Sequence, residues 1–159
     1  YSIVGFELDH TLSESGSVSR GICAYDKEQH LTDVVEHLNI AKEADGKVYG
    51  DNSATGETHV ELVANNLCSM NMWGFTPDYF EQSEKIFEKF LEENSQELKK
   101  EFYIPFAIDC MVKSGEAKCE VLSTPSHWFG VTYKEDRPGV VAKFQELADK
   151  GVYPTPLYK

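Results

Sequence analysis

Apolar and polar positions alternate through the first part of the chain. In residues 3–8, IVGFEL, the apolar positions are Ile3, Val4, Phe6 and Leu8, which predicts a strand. A polar, turn-rich segment follows at 9–17, DHTLSESGS. Residues 18–25, VSRGICAY, place Val18, Arg20, Ile22 and Ala24 on one face of a second strand. DKEQH at 26–30 reads as a hairpin connection into a returning strand at 31–36, LTDVVE. Residues 41–58 are rich in Gly, Asp, Asn and Thr and read as a long excursion with a short strand at 47–49. THVELVA at 58–64 alternates as a strand. LCSMNMWGF at 67–75 is a nearly continuous apolar run, as expected of a central strand buried on both faces.

Beyond residue 75 the period lengthens to that of helices. Thr76-Pro77-Asp78 is a start signal, because Thr caps, Pro suits the first helical position and Asp favours the positive end of the dipole. Tyr79, Phe80, Ile86, Phe87, Phe90 and Leu91 then predict a helix over 77–94. Ile104, Ala107, Ile108, Met111 and Val112 mark a second helix, stopped by Gly115. AKCEVL at 117–122 alternates as a strand. Pro138 opens a third helix, with Val140, Val141, Phe144, Leu147 and Ala148 inward and Gly151 closing it. Phe87, Phe90 and Phe144 are expected in the core, and the helices at 77–94 and 138–150 against the sheet. The pattern predicts an α/β fold with a mixed sheet and flanking helices, a single domain over 1–159.

The 159 residues are 41% hydrophobic and 12% aromatic, which marks a globular chain. A net charge of -12 argues against nucleic acid as the main partner. No apolar stretch has the length of a membrane span, and residues 1–8 do not read as a signal peptide. Cys23, Cys68, Cys110 and Cys119 are scattered without a CxxC pair, which predicts reduced thiols and a cytoplasmic setting. Opening on Tyr1, directly before a core strand, suggests a piece of a longer protein. The sequence contains neither GxxxxGK[ST] nor GxGxxG.

Several segments carry a resemblance: GFELDHTLSESGSVSRGICAYDKEQHLTDVVEHLNI, SMNMWGFTPDYF, EFYIP, and WFGVTYKEDRPGV with the tail GVYPTPLY. In this order, and over nearly the whole chain, they resemble the C-terminal half of bacterial sugar-phosphate nucleotidyltransferases. The resemblance implies transfer of a nucleoside monophosphate from a nucleoside triphosphate to a sugar 1-phosphate or similar phosphate, releasing pyrophosphate. It implies a missing N-terminal half of the same protein, which would supply the nucleotide loop, and Mg2+ in the full-length parent. The isolated chain is expected to be inactive and to hold no cofactor; a homo-oligomer is compatible with it. A non-catalytic binding or oligomerisation module retaining the fold is the alternative.

By the same resemblance, Glu36 matches an acid that binds sugar hydroxyls, and His37 stands where the superfamily has lysine. Trp73-Gly74 matches a Thr-Gly step, and a glycine there lets backbone approach a sugar. Glu101 matches a further acid. Trp128 to Thr132 matches a segment whose metal aspartate falls at Gly130, so the metal ligands stay unknown, with Glu135 or Asp136 as stand-ins. The substrate-binding set is therefore Glu36, His37, Asn71 and Gly74, near one another at one edge of the sheet.

Each candidate also has a plainer reading. Glu36 also reads as an exposed strand-end acid, and His37 equally as a solvated histidine. Arg20, between Val18 and Ile22, needs an anion, either a substrate phosphate or an internal acid such as Glu36 or Glu7. Asn71, between two methionines, binds substrate or backbone. Trp73 reads as a core residue. Lys134, Glu135, Asp136 and Arg137 read as a solvated turn or a loop facing the cleft.

Overall fold

The computed structural model describes residues 1–13, 16–131 and 134–158. Glu14 and Ser15 of the 9–17 turn, Thr132 and Tyr133 of WFGVTY, and Lys159 lie outside the described residues. The chain divides into two compact units, Tyr1–Ser126 and His127–Lys159.

The first unit is a mixed sheet with two helices. Its strands are β1 (Ser2–Glu7), β2 (Val18–Tyr25), β3 (Leu31–Lys42), β4 (Val48–Asn52), β5 (Val60–Leu62), β6 (Leu67–Gly74) and β7 (Glu120–Thr124). They line up as β5-β4-β3-β2-β6-β1-β7. Only β1 and β7 pair parallel, with Ser2 opposite Glu120 and Phe6 opposite Thr124. Hairpin-like connections make β2 to β5 antiparallel neighbours. The helices α1 (Asp78–Asn94) and α2 (Ile104–Ser114) lie between β6 and β7 in the chain.

β3 runs six residues further than LTDVVE suggests. The extension is possible because Asn39 takes φ 52° and the β3/β4 register shifts between Leu38 and Ala41. That turn of the backbone sends Ile40 into full burial and leaves Leu38 exposed. β6 differs from expectation in another way. It is an interior strand, but β2 holds the centre, and only Leu67, Cys68 and Ser69 of β6 are buried. Between Ser69 and Trp73, β6 spends four residue steps where β1 spends two, from Gly5 to Ile3. The surplus forms a bulge at Asn71, φ 56°, which turns Met72 out to 56% exposure.

Two apolar clusters sit on the sheet. Ile3, Cys23, Leu31, Leu67, Cys119 and Val121 pack with Ala107, Ile108 and Met111 of α2 and Tyr79 of α1. Leu8, Ile40, Val48, Leu62 and Cys68 form the second, with Phe6, Val18 and Ile22 against it. α2 reads as the sequence predicts: Gly115 takes φ 77°, and its N–H meets the carbonyls of Met111 and Val112. α1 is less deeply set. Tyr79 is its buried residue, Phe90 is half-buried, and Phe87 is 40% exposed. Phe87 and Phe90 meet Phe102 rather than the sheet, with ring centroids 5.1 and 5.3 Å apart. Placing Phe87 in the core therefore misjudges the helix phase by part of a turn.

The second unit holds a 3-10 turn, Lys134–Asp136, and α3 (Arg137–Asp149). α3 has no buried residue among those described, and Phe144, expected inward, is 51% exposed. Its ring makes an edge contact with Phe129 at 5.1 Å. Gly151, φ 71°, follows the helix end as predicted.

Candidate functional site

Glu36 and His37 are consecutive on a regular stretch of β3, so their side chains leave opposite faces of the sheet. Glu36 pairs with Gly21, His37 with Arg20. The Glu36 side chain lies over Gly21: a Cβ on Gly21 would be 3.4 Å from Glu36 Oε2, 2.8 Å from Val34 Cγ1 and 3.7 Å from Ser69 Cβ. Gly21 thus opens a slot on the sheet, bordered by Glu36, Val34 and Ser69. A glycine inside a strand is the sequence signal for such a close approach. The Glu36 carbonyl is fixed from the β4 side by Ser53, whose N–H and hydroxyl donate to it at 3.0 and 2.6 Å.

Ser69 links this slot to the bulge. The Asn71 N–H donates to Ser69 Oγ at 3.2 Å, and Trp73 Nε1 approaches Asn71 Oδ1 at 3.5 Å. Asn71 is exposed, and Trp73 is half-buried against the apolar cluster on the α2 side. Asn tolerates a left-handed backbone better than most residues, which suits it to this bulge. Glu36, Ser69 and Asn71 therefore border one polar patch through Gly21. The segment before α2 adds to it: the Glu101 carboxylate, and with it the Glu36 charge, raises the pKa of the Tyr103 hydroxyl. Ser69, Gly21 and Tyr103 are absent from the set read from sequence.

Glu36 loses hydration against the sheet, and this pushes its carboxyl above the usual range; Arg20 and then His37 pull it back. The patch is rich in acceptors, namely two Glu36 oxygens, the Glu101 carboxylate and amide and hydroxyl oxygens. That set suits the hydroxyls of a polyol.

The remaining candidates lie elsewhere. His37 is buried at 6% exposure, and its Nδ1 is 3.0 Å from the Val35 carbonyl. Because a carbonyl only accepts, Nδ1 carries a proton there. Gly74 pairs with Ser2, three β1 positions, or about 10 Å, from the Ser69–Gly5 pairing. A Cβ on Gly74 would meet Ser2 Oγ at 2.6 Å, so its close approach is to β1. Arg20 donates to Thr11 Oγ1 (3.1 Å), Thr11 O (2.6 Å) and Ser19 O (2.8 Å). Burial lowers its pKa, opposed by Cys68 and Glu36. Thr11 is itself buried, donating to Leu8 O at 2.9 Å, so Arg20 ties the turn after β1 to β2.

In the second unit, a Cβ on Gly130 would sit 2.8 Å from an indole carbon of Trp128. Any side chain at that position requires the indole to move. Among the described residues, no three His, Cys, Asp or Glu converge as metal ligands. No helix of the described residues is long and apolar enough to cross a membrane. No protein-family model and no curated protein matches the chain.

Proposed function

We propose that this chain is the acceptor-binding half of a sugar-phosphate nucleotidyltransferase. In this reading a complete protein transfers a nucleoside monophosphate from a nucleoside triphosphate to a sugar 1-phosphate or similar phosphate. The observation that carries it is the Glu36 carboxylate laid across Gly21 beside Ser69 and Asn71. A carboxylate binds a pair of adjacent sugar hydroxyls through both oxygens, and charged hydrogen bonds of this kind are about twice as strong as neutral ones. Trp73 and Tyr103 flank the patch with aromatic surface.

The resemblance implies magnesium in the parent protein. The described residues of this chain do not fit such a site, because no ligand triad forms and position 130 is closed by the Trp128 ring. The role of this half is therefore to bind and orient the acceptor through protein groups.

The test uses the protein expressed together with its upstream coding sequence, assayed for pyrophosphate release. Glu36→Gln keeps the shape but removes the charge. It should raise the acceptor KM roughly 10- to 150-fold, since a charged hydrogen bond contributes about 1.5–3 kcal/mol, and leave the nucleotide KM nearly unchanged. Equal effects on both substrates would mean that Glu36 acts through structure.

A further inference from the structure

A second acidic group lies three residues earlier on β3. Lys113 Nζ of α2 is 3.1 Å from Asp33 Oδ1 and 2.7 Å from Asp109 Oδ2, so one ammonium joins two carboxyls across the β3/α2 contact. Asp109 Oδ1 is buried and has no hydrogen-bond partner. The two carboxyl groups meet at this one ammonium, and the Asp33 charge is felt at Asp109. With both ionised, the trio carries an excess negative charge and leaves the buried Asp109 oxygen without a donor. One added proton removes both faults: the trio becomes neutral, and an O–H···O⁻ bond joins the two acids.

We propose that Asp33 and Asp109 share a proton and form an acid-strengthened clasp between β3 and α2. Cys110, beside Asp109 on α2, feels Asp109 and Lys113 and, from α1, Glu93 and Lys89, which oppose each other there. Burial is the first cause holding the Asp109 proton, Asp33 adds to it, and Lys113 opposes it. Such a carboxyl binds its proton more tightly folded than unfolded. Its stabilising effect is complete below the ordinary aspartate value, about 3.9, and is lost as pH rises through the raised one. The clasp anchors the helix that follows Glu101 and Tyr103, so acid would tighten the segment beside Glu36.

Thermal unfolding of the 159-residue chain and of Asp109→Asn, from pH 7.5 to 4.5, tests this. An amide at 109 donates to Asp33 permanently, so at pH 7.5 the variant should equal or exceed the parent in Tm. On acidification the parent should gain about 2–4 °C on the variant, as expected for roughly one kcal/mol in a chain of this size. Asp33→Asn should give the same pattern, and the Asp109 carboxyl carbon signal should titrate above the ordinary aspartate range. A variant less stable at pH 7.5 whose deficit shrinks in acid would show a plain Asp109–Lys113 ion pair and overturn the proposal. A pH-independent difference, or an Asp109 titration in the ordinary range, would overturn it as well.

Discussion

At residue scale, the slot at Gly21 is the most constrained point near Glu36. An alanine there would press against Val34 Cγ1 at 2.8 Å and crowd Glu36 Oε2 at 3.4 Å. Gly21→Ala should destabilise the fold by about 1–3 kcal/mol, as overpacking does, measured as a lower urea midpoint at unchanged slope. Adding Val34→Ala should restore part of that loss, because the two sites couple directly. If the double variant is simply additive, the contact is not the cause. Asn71 shows the same principle in another form: its left-handed backbone, not its side chain alone, places it beside Ser69.

At the scale of elements, legibility followed the regularity of the backbone. β2 is found where VSRGICAY alternates, and α2 ends where Gly115 stands, because each follows one period to a clear stop. The second half of β3 breaks the period of two at Asn39, so that Leu38 is exposed and Ile40 is buried. The same effect made β6 look buried throughout, when the bulge exposes Met72. The candidate site was legible only in part, for the same reason. Glu36 and His37 are neighbours in sequence, but a strand sends neighbours to opposite faces, and only Glu36 reaches the patch. Ser69 and Tyr103 joined it through pairings that no local pattern encodes. The α2 stop offers a direct check. Gly115→Ala forces a side chain into a left-handed position and should lower stability by about 1–2 kcal/mol. A loss below about 0.3 kcal/mol would mean the helix end re-forms another way, since that is within the scatter of neutral surface changes.

At the scale of the whole molecule, the sequence lacks any Gly-rich phosphate loop. The 159-residue chain alone should therefore release no pyrophosphate from any nucleoside triphosphate and sugar phosphate supplied with magnesium. Turnover that copurifies with the chain would refute the division of labour proposed above.

The strand order also governs how the molecule comes into being. β2 to β5 pair with their neighbours in sequence, so this meander can assemble once residue 62 has been made. β1, made before this meander, has no partner in the sheet until β6 is available, and its other side stays bare until Glu120–Thr124 arrives. Pairing residue 2 with residue 120 is a contact of high sequence separation, and such contacts slow folding. On the ribosome, β1 is thus made before the meander yet enclosed after it. Until then its hydrophobic residues, Ile3 above all, are the segment most exposed to a chaperone or to a neighbouring chain.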